Sequence, residues 1–473
     1  MDDLASWKVQ ARQHRGITLA LAEFIATLAP GDVPETTRAV LAKALVDGIG
    51  CGLYGLATPW GRIMREYALD RGGPAEAGLW GGHSRVSVGN SVLAAGTAIH
   101  GFDFDDHSRA KIHPGAVVIP VVLALGERHG ADGPTVLAAM AAGYETMNRV
   151  SQAANPGRAR MRGWHLTGTT GTFAAAAAAS VILGLDAATT ASALGLAGTQ
   201  SAGLWAFTAD GGMSKRMHPG RAAEAGVAAA MLAARGFEGP RYILEAEDGG
   251  LLFAMSDAPR PGMVTEALGE VWHTDATCFK PHACCGSNHA CVDAAIALMR
   301  EHRLALADIA RVVAAIPEVV RTQTGFAYRA DSVLNAQMSL QYNVAVALTD
   351  RQAYLEQFAP GRIAEKQVTA LAQRVEIEVD PELDRAYPAI YGGRLTLVLR
   401  DGRVLERRVD YSLGMPENPM GQEDIEGKYR SLAGAAIGAG AADELLDMVK
   451  GAFVMRSVAP LNAALARVDV NSA

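Results

Sequence analysis

The sequence predicts a mainly α-helical protein: a large all-α domain drawn from both ends of the chain, residues 1–268 and 410–473, around a smaller inserted α+β domain, residues 269–409. Three observations carry this expectation. Apolar residues recur at three- and four-residue spacing through the first half, short strand-like runs follow, and helical periodicity returns near the C-terminus.

The helical reading begins with Leu19, Leu21, Phe24, Ile25 and Leu28, and continues through Thr37, Leu41, Leu45 and Ile49. Asp186 is placed to cap the helix through Ala193 and Leu196, and Gly236 to stop the one over residues 222–235. Strand-like runs cover 311–316, 374–379 and 393–399, with a hairpin signal at Asp401-Gly402. From 424 to 468 the pattern is helical and alanine-rich again, which suggests that the tail folds back onto the first domain. The 51 glycines and long alanine tracts fit helices packed closely through small side chains.

The formal net charge of -7 is spread along the chain, so no electrostatic footprint for nucleic acid or a membrane surface appears. An anionic ligand therefore needs a local basic pocket. The first residues are acidic and lack the order of a secretory signal, which makes the cytoplasm the expected location. Uncharged runs at 163–185 and 187–209 reach membrane-spanning length, but their Gly, Thr, Ser and Gln content suits buried soluble helices better. Five cysteines, four of them crowded between Cys278 and Cys291, do not resemble a disulfide framework and are expected to be reduced.

Four segments carry chemistry. Between Gly101 and Gly115, Asp103, Asp105, Asp106, His107, Lys111 and His113 crowd together just before an apolar helix, where backbone N–H groups favour anions. Each acid is also a candidate helix cap. His165 precedes an alanine-rich helix in the same way, as a proton carrier or a structural hydrogen-bonding residue. Lys215, Arg216, His218 and Arg221 form the most basic patch, set ahead of a helix whose dipole opposes them unless an anion is bound. Finally, Lys280, His282, Cys284, Cys285 and His289 share a stretch that invites a metal reading, but no Cys-x-x-Cys or common ligand spacing is present. Phosphate-loop, dinucleotide and zinc-protease motifs are also missing.

Taken in order, these segments resemble the MmgE/PrpD family, which includes 2-methylcitrate dehydratase, cis-aconitate decarboxylase and iminodisuccinate epimerase. The resemblance covers nearly the whole chain: Asp47-Gly-Ile-Gly, Asn90, His100, the Asp103–Asp106 run, His113-Pro-Gly, the Gly163–Gly168 stretch, Lys215 through Pro240, Lys280 to His289, Ser339 to Tyr342, Asn418-Pro419 and Lys428. It implies a helical domain with an α+β lid, a homodimer, and no metal or organic cofactor. It also implies a catalytic pocket of Asp103, His113, His165, Lys215, Lys280 and Tyr342, with His107 as a departure where decarboxylase-like members carry threonine. Cys285 falls where some members have histidine.

The expected substrate is a small di- or tricarboxylate such as 2-methylcitrate, and the expected reaction is dehydratase-like. Epimerisation of a dicarboxylate and decarboxylation of cis-aconitate are the alternatives. All three build electron density on the carbon beside a carboxylate. Lys215 and Lys280, with His113, would bind the substrate; His113 and His165 would move protons; Asp103 would orient one of them; Tyr342 would protonate a leaving hydroxide, and His107 would serve as an additional acid. From other classes, a metal-dependent enzyme and a non-catalytic small-acid binding protein stand as competitors.

Overall fold

A computed structural model describes residues 2–470. At its centre lies the helix Leu166–Leu183, whose six consecutive alanines, Ala174 to Ala179, are all fully buried. Alanine loses no side-chain entropy in a helix and leaves room for neighbours to approach. The helices Gly115–His129, Gly133–Ala153, Ala187–Gly198 and Ser214–Ala233 pack around it. The approach is closest at Gly226, where an added Cβ would stand 2.4 Å from the Cβ of Ala175. Anything larger than glycine there would force two core helices apart.

The local signals act as expected at several points. Asp186 accepts from the backbone N–H of Thr189 and caps Ala187–Gly198. The helix Ser214–Ala233 is followed by Gly236 in a left-handed conformation, φ +86°. That helix begins eight residues earlier than the alanine pattern alone indicates, so Lys215, Arg216 and His218 lie inside its first turns rather than ahead of it. The first half also departs from an all-α reading. A short antiparallel pair, β1 (Ala77–Leu79) and β2 (Ser84–Val86), sits there, too brief to show a period-two pattern.

The remaining strands form one sheet: β3 (Ile309–Ile316), β4 (Val375–Val379), β5 (Gly393–Leu399) and β6 (Val404–Val409), in the order β4-β3-β5-β6. β3 and β4 are parallel; β5 pairs antiparallel with both β3 and β6, the latter through the Asp401-Gly402 turn. Leu395, Leu397 and Leu399 alternate inward from β5, and the helix His289–Glu301 packs on that strand. Chain-terminal helices return to the first half, with Gln422–Ile437 on Glu35–Ala57 and Ala459–Arg467 on Gly115–His129. Lys428 fixes the first of these contacts. Its ammonium lies 2.7 Å from Asp47 and donates to the carbonyl oxygen of Phe104.

Two helices, Glu35–Ala57 and Leu166–Leu183, are long and apolar enough to cross a membrane, yet 72% and 83% of their most apolar windows are buried inside the protein. Both are core helices here. All five cysteines are buried and free.

Candidate active site

Three helix starts meet at one cavity. His113 stands two residues before Gly115–His129, His165 is the residue preceding Leu166–Leu183, and Lys215 is in the first turn of Ser214–Ala233. All three line one small cavity together with Asp103, His107 and Lys280. The positive ends of three helix dipoles lie at this cavity before any side chain is counted. A fourth segment closes it: His107 and Cys278 exchange backbone hydrogen bonds of 2.9 and 2.7 Å, which holds the Lys280 stretch against the Asp103 loop.

Asp103 organises the cations. Its Oδ1 lies 2.7 Å from the ammoniums of both Lys215 and Lys280, and Lys280 also donates to the Asp103 carbonyl oxygen at 2.7 Å. Asp103 itself is in the left-handed region, φ +53°, so the loop accepts a strained backbone to present both oxygens to Lys280. Burial pushes the Asp103 carboxyl up, but the two ammoniums outweigh it and hold the group well below the ordinary carboxylate range. Lys215 is lowered, burial exceeding the pull of Asp103, whereas Lys280 is raised because Asp103 and Asp105 more than offset its burial. Two ammoniums share one carboxylate, and the surplus charge faces the cavity.

The histidines form two chains. Asp105 accepts from His100 Nδ1 at 2.9 Å and lies 3.3 Å from His113 Nδ1, so the Nε2 of His113 faces Asp103 and the cavity. His165 Nδ1 is 2.8 Å from His218 Nδ1. One of these two nitrogens donates and the other accepts, so the tautomer of His218 fixes that of His165. Burial lowers His113 to about 4 and His218 to about 4, and holds His107 and His165 well below the usual imidazole range. The cavity imidazoles are therefore neutral at pH 7 and ready to accept protons.

Six of the seven sequence-derived catalytic residues, Asp103, His107, His113, His165, Lys215 and Lys280, line this cavity. Tyr342 does not. It is fully buried in the helix Leu340–Asp350, with its hydroxyl donating to the carbonyl oxygen of Gln357. Ser339-Leu-Gln-Tyr342 is a helix start whose tyrosine faces the core, and burial raises its hydroxyl further from donating range. Asp103 is engaged by the two lysines, and the carboxylate nearest the His113 Nδ1 is that of Asp105. His100, Asp105 and His218 were all visible in the motif segments; their pairing partners were not. Ser287 lay within the Lys280–His289 stretch without being singled out, whereas Trp205, Gln323 and Tyr391, which also line the cavity, carried no local signal at all.

His100, Asp103, Asp105 and His113 bring one donor atom each within 4.8 Å of one another, the spacing of a metal site. The donor set argues against one. A divalent cation there would face two ammoniums bound to the same Asp103 oxygen, and both His100 and His113 direct Nδ1 at Asp105. Among the described residues the cysteine-rich stretch gathers no cluster of metal ligands: His282 bonds Asp293 at 2.8 Å, and His289 Nε2 lies 3.3 Å from the Cys284 carbonyl oxygen.

A mainly helical fold encloses a cation-rich, imidazole-lined cavity, an arrangement whose charge suits a small anion and whose imidazoles suit proton transfer. Its relatives share that architecture in sequence. Residues 19–262 match the MmgE/PrpD N-terminal domain and residues 282–451 the MmgE/PrpD C-terminal domain, so the chain belongs to the MmgE/PrpD family. It is 29% identical over 467 residues to cis-aconitate decarboxylase of Aspergillus terreus, covering 94% of this chain and 95% of that protein. A cis-aconitate decarboxylase-like protein of Aspergillus oryzae is 30% identical over 442 residues, with 89% and 91% coverage. Cis-aconitate decarboxylase of Homo sapiens is 28% identical over 448 residues, covering 92% of each chain.

Proposed function

We propose that the chain is a lyase that acts on a small tricarboxylate through a carbanion adjacent to a carboxylate, without a metal or organic cofactor. The observation that carries this is the sharing of Asp103 between Lys215 and Lys280 beside neutral His113 and His165. The lysines bind the substrate carboxylates and hold the negative charge as it spreads from carbon onto carboxylate oxygen. His113 Nε2, braced through Nδ1 by Asp105, takes or returns the proton at that carbon. His165, set by His218, stands as the second proton carrier.

The names of the relatives favour loss of carbon dioxide from an unsaturated tricarboxylate such as cis-aconitate. There the electron pair of the broken carbon–carbon bond stays on the substrate, and one proton drawn from solvent and relayed through an imidazole closes the cycle. A second reading, dehydration of a 2-hydroxy tricarboxylate such as 2-methylcitrate, is favoured by His107. This imidazole lines the cavity beside Lys280, with its ring centre 6.2 Å from that of His113, and can relay to a leaving hydroxide the proton that His113 takes from carbon, the task that Tyr342 is too far inside the core to perform. Epimerisation of a dicarboxylate would use the same two proton carriers on opposite faces of one carbon. Action in the cytoplasm, a homodimer, and movement of the α+β half as a lid belong to this reading as well.

Purified protein incubated separately with cis-aconitate, 2-methylcitrate, citrate and iminodisuccinate, and followed by proton NMR, tests it. Release of carbon dioxide from cis-aconitate supports the first reading and loss of water from 2-methylcitrate the second. A protein that consumes no tricarboxylate is not this lyase.

A further inference from the structure

Lys111 lines the same cavity, half-buried, but differs from the buried lysines around it. Lys215 and Lys280 share Asp103, and Lys428 pairs with Asp47. Lys111 has only neutral company: its ammonium donates to Gln323 Oε1 at 3.0 Å and lies over the rings of Tyr387 and Tyr391, 5.5 and 5.4 Å from their centres. Among the described residues no carboxylate pairs with it. An ammonium has three donors; Gln323 takes one and the Tyr387 hydroxyl is placed to take a second, so at least one remains for a ligand.

The surroundings are equally specific. Ser287 and Tyr391, both lining the cavity, are hydrogen-bonded through their hydroxyls. One hydroxyl donates to the other, which leaves one O–H free to point elsewhere. The backbone at Lys111 is left-handed, φ +59°, and its N–H donates to the Ser108 carbonyl oxygen at 2.9 Å, a tight turn that fixes where the side chain starts. The turn lies two residues before His113, so the ammonium and the proton carrier belong to one short loop. The cavity is lined by three lysines and a single aspartate. Two of those lysines are shared with Asp103; the third is uncommitted.

We propose that Lys111, with Gln323 and the Ser287–Tyr391 pair, docks a substrate carboxylate remote from the reacting carbon, and so selects tricarboxylates over acids that lack this group. This rests on the reading of the cavity as a polycarboxylate lyase site and deepens it. Lys215 and Lys280 serve the carboxylates where charge develops, and Lys111 supplies binding that is equal in ground and transition states. A residue of that kind governs KM and leaves kcat nearly alone.

Calorimetric titration of the wild type, Lys111→Met and Lys111→Arg with tricarballylate, a saturated and unreactive tricarboxylate, and with the dicarboxylate glutarate reads this directly. The expected result is a loss of roughly 10- to 100-fold in tricarballylate affinity for Lys111→Met, the range for a lost charge-assisted hydrogen bond. Glutarate affinity falls much less, and Lys111→Arg keeps most of the preference. Thermal unfolding confirms that the variants remain folded. Unchanged tricarballylate affinity in folded Lys111→Met, or an equal loss for both acids, overturns the assignment. A wild type that prefers tricarballylate through Lys111 yet turns over no tricarboxylate sinks the lyase reading and leaves this one standing.

Discussion

Lys280 holds Asp103 twice, through its carbonyl oxygen and its Oδ1, each at 2.7 Å. The double contact ties a residue of the Cys278–His289 stretch to a strained position in the loop before Gly115–His129, and Lys215 completes the arrangement from a third helix start. Charge, strain and segment assembly thus converge on a single carboxylate.

Replacing Asp103 by Asn leaves two buried ammoniums close together without an anion between them. Breaking a buried pair by removing one partner costs about 3–5 kcal/mol, so the thermal midpoint should fall clearly. Activity should fall by about 10²-fold or more, because the lysines lose their placement. Equal stability of wild type and Asp103→Asn would show that the lysines do not depend on this group.

Lys280→Met and Lys215→Met remove the positive charge from the reacting end of the cavity. The expected loss is about 10²- to 10³-fold in kcat, as for removal of a donor that acts where charge develops. Steady-state kinetics that show only a raised KM would reassign either lysine to simple binding.

His113 is expected to set the acid limb of the rate profile. Burial, only partly opposed by Asp105, lowers its pKa to about 4, and the neutral form is the one that accepts a proton. Activity dependent on His113 should therefore be level from neutral pH down to about 5 and fall as pH drops through about 4. A limb near 6.5, the ordinary imidazole value, would place a different group in the role.

The same depression has a consequence for stability. His113 and His218 are both lowered from 6.5 to about 4 on folding, so between those values the unfolded chain binds more protons than the folded one. Stability is then fully present above about 6.5 and is lost as pH falls toward 4. Chemical denaturation at pH 7, 6 and 5 should show a declining midpoint, and the double variant His113→Phe and His218→Phe should decline less.

Gly286 is set against the His107 ring: a Cβ there would stand 2.9 Å from Cε1 and 3.0 Å from Nε2. Gly286→Ala should shift the imidazole and alter turnover while the fold persists. A displacement of about 1 Å at a reacting group costs on the order of 10²-fold. If dehydration is the reaction, Gly286→Ala should depress it; if carbon dioxide is lost, the effect should be small.

Much of this was legible in the chain. Alanine tracts, the Asp186 cap and the Asp401-Gly402 turn act locally, and local signals survive folding. The site segments were visible for the same reason, since histidines and lysines at helix starts have a distinctive sequence setting. What could not be read was partnership across the chain. Asp105 bracing His113, His218 fixing His165, and Gln323 receiving Lys111 depend on contacts set by tertiary packing. Tyr342 lies outside the cavity for a related cause: its position in a motif said nothing about which helix face it occupies, and that face is core.

Turnover in deuterium oxide tests the central claim most directly. If His113 and His165 exchange protons with a carbanion held by Lys215 and Lys280, NMR of the reaction should show solvent deuterium on the carbon next to a carboxylate, in product for decarboxylation or in recovered substrate for dehydration. Lys280→Met should abolish the signal. Turnover that leaves that carbon free of deuterium in both product and substrate would contradict the mechanism.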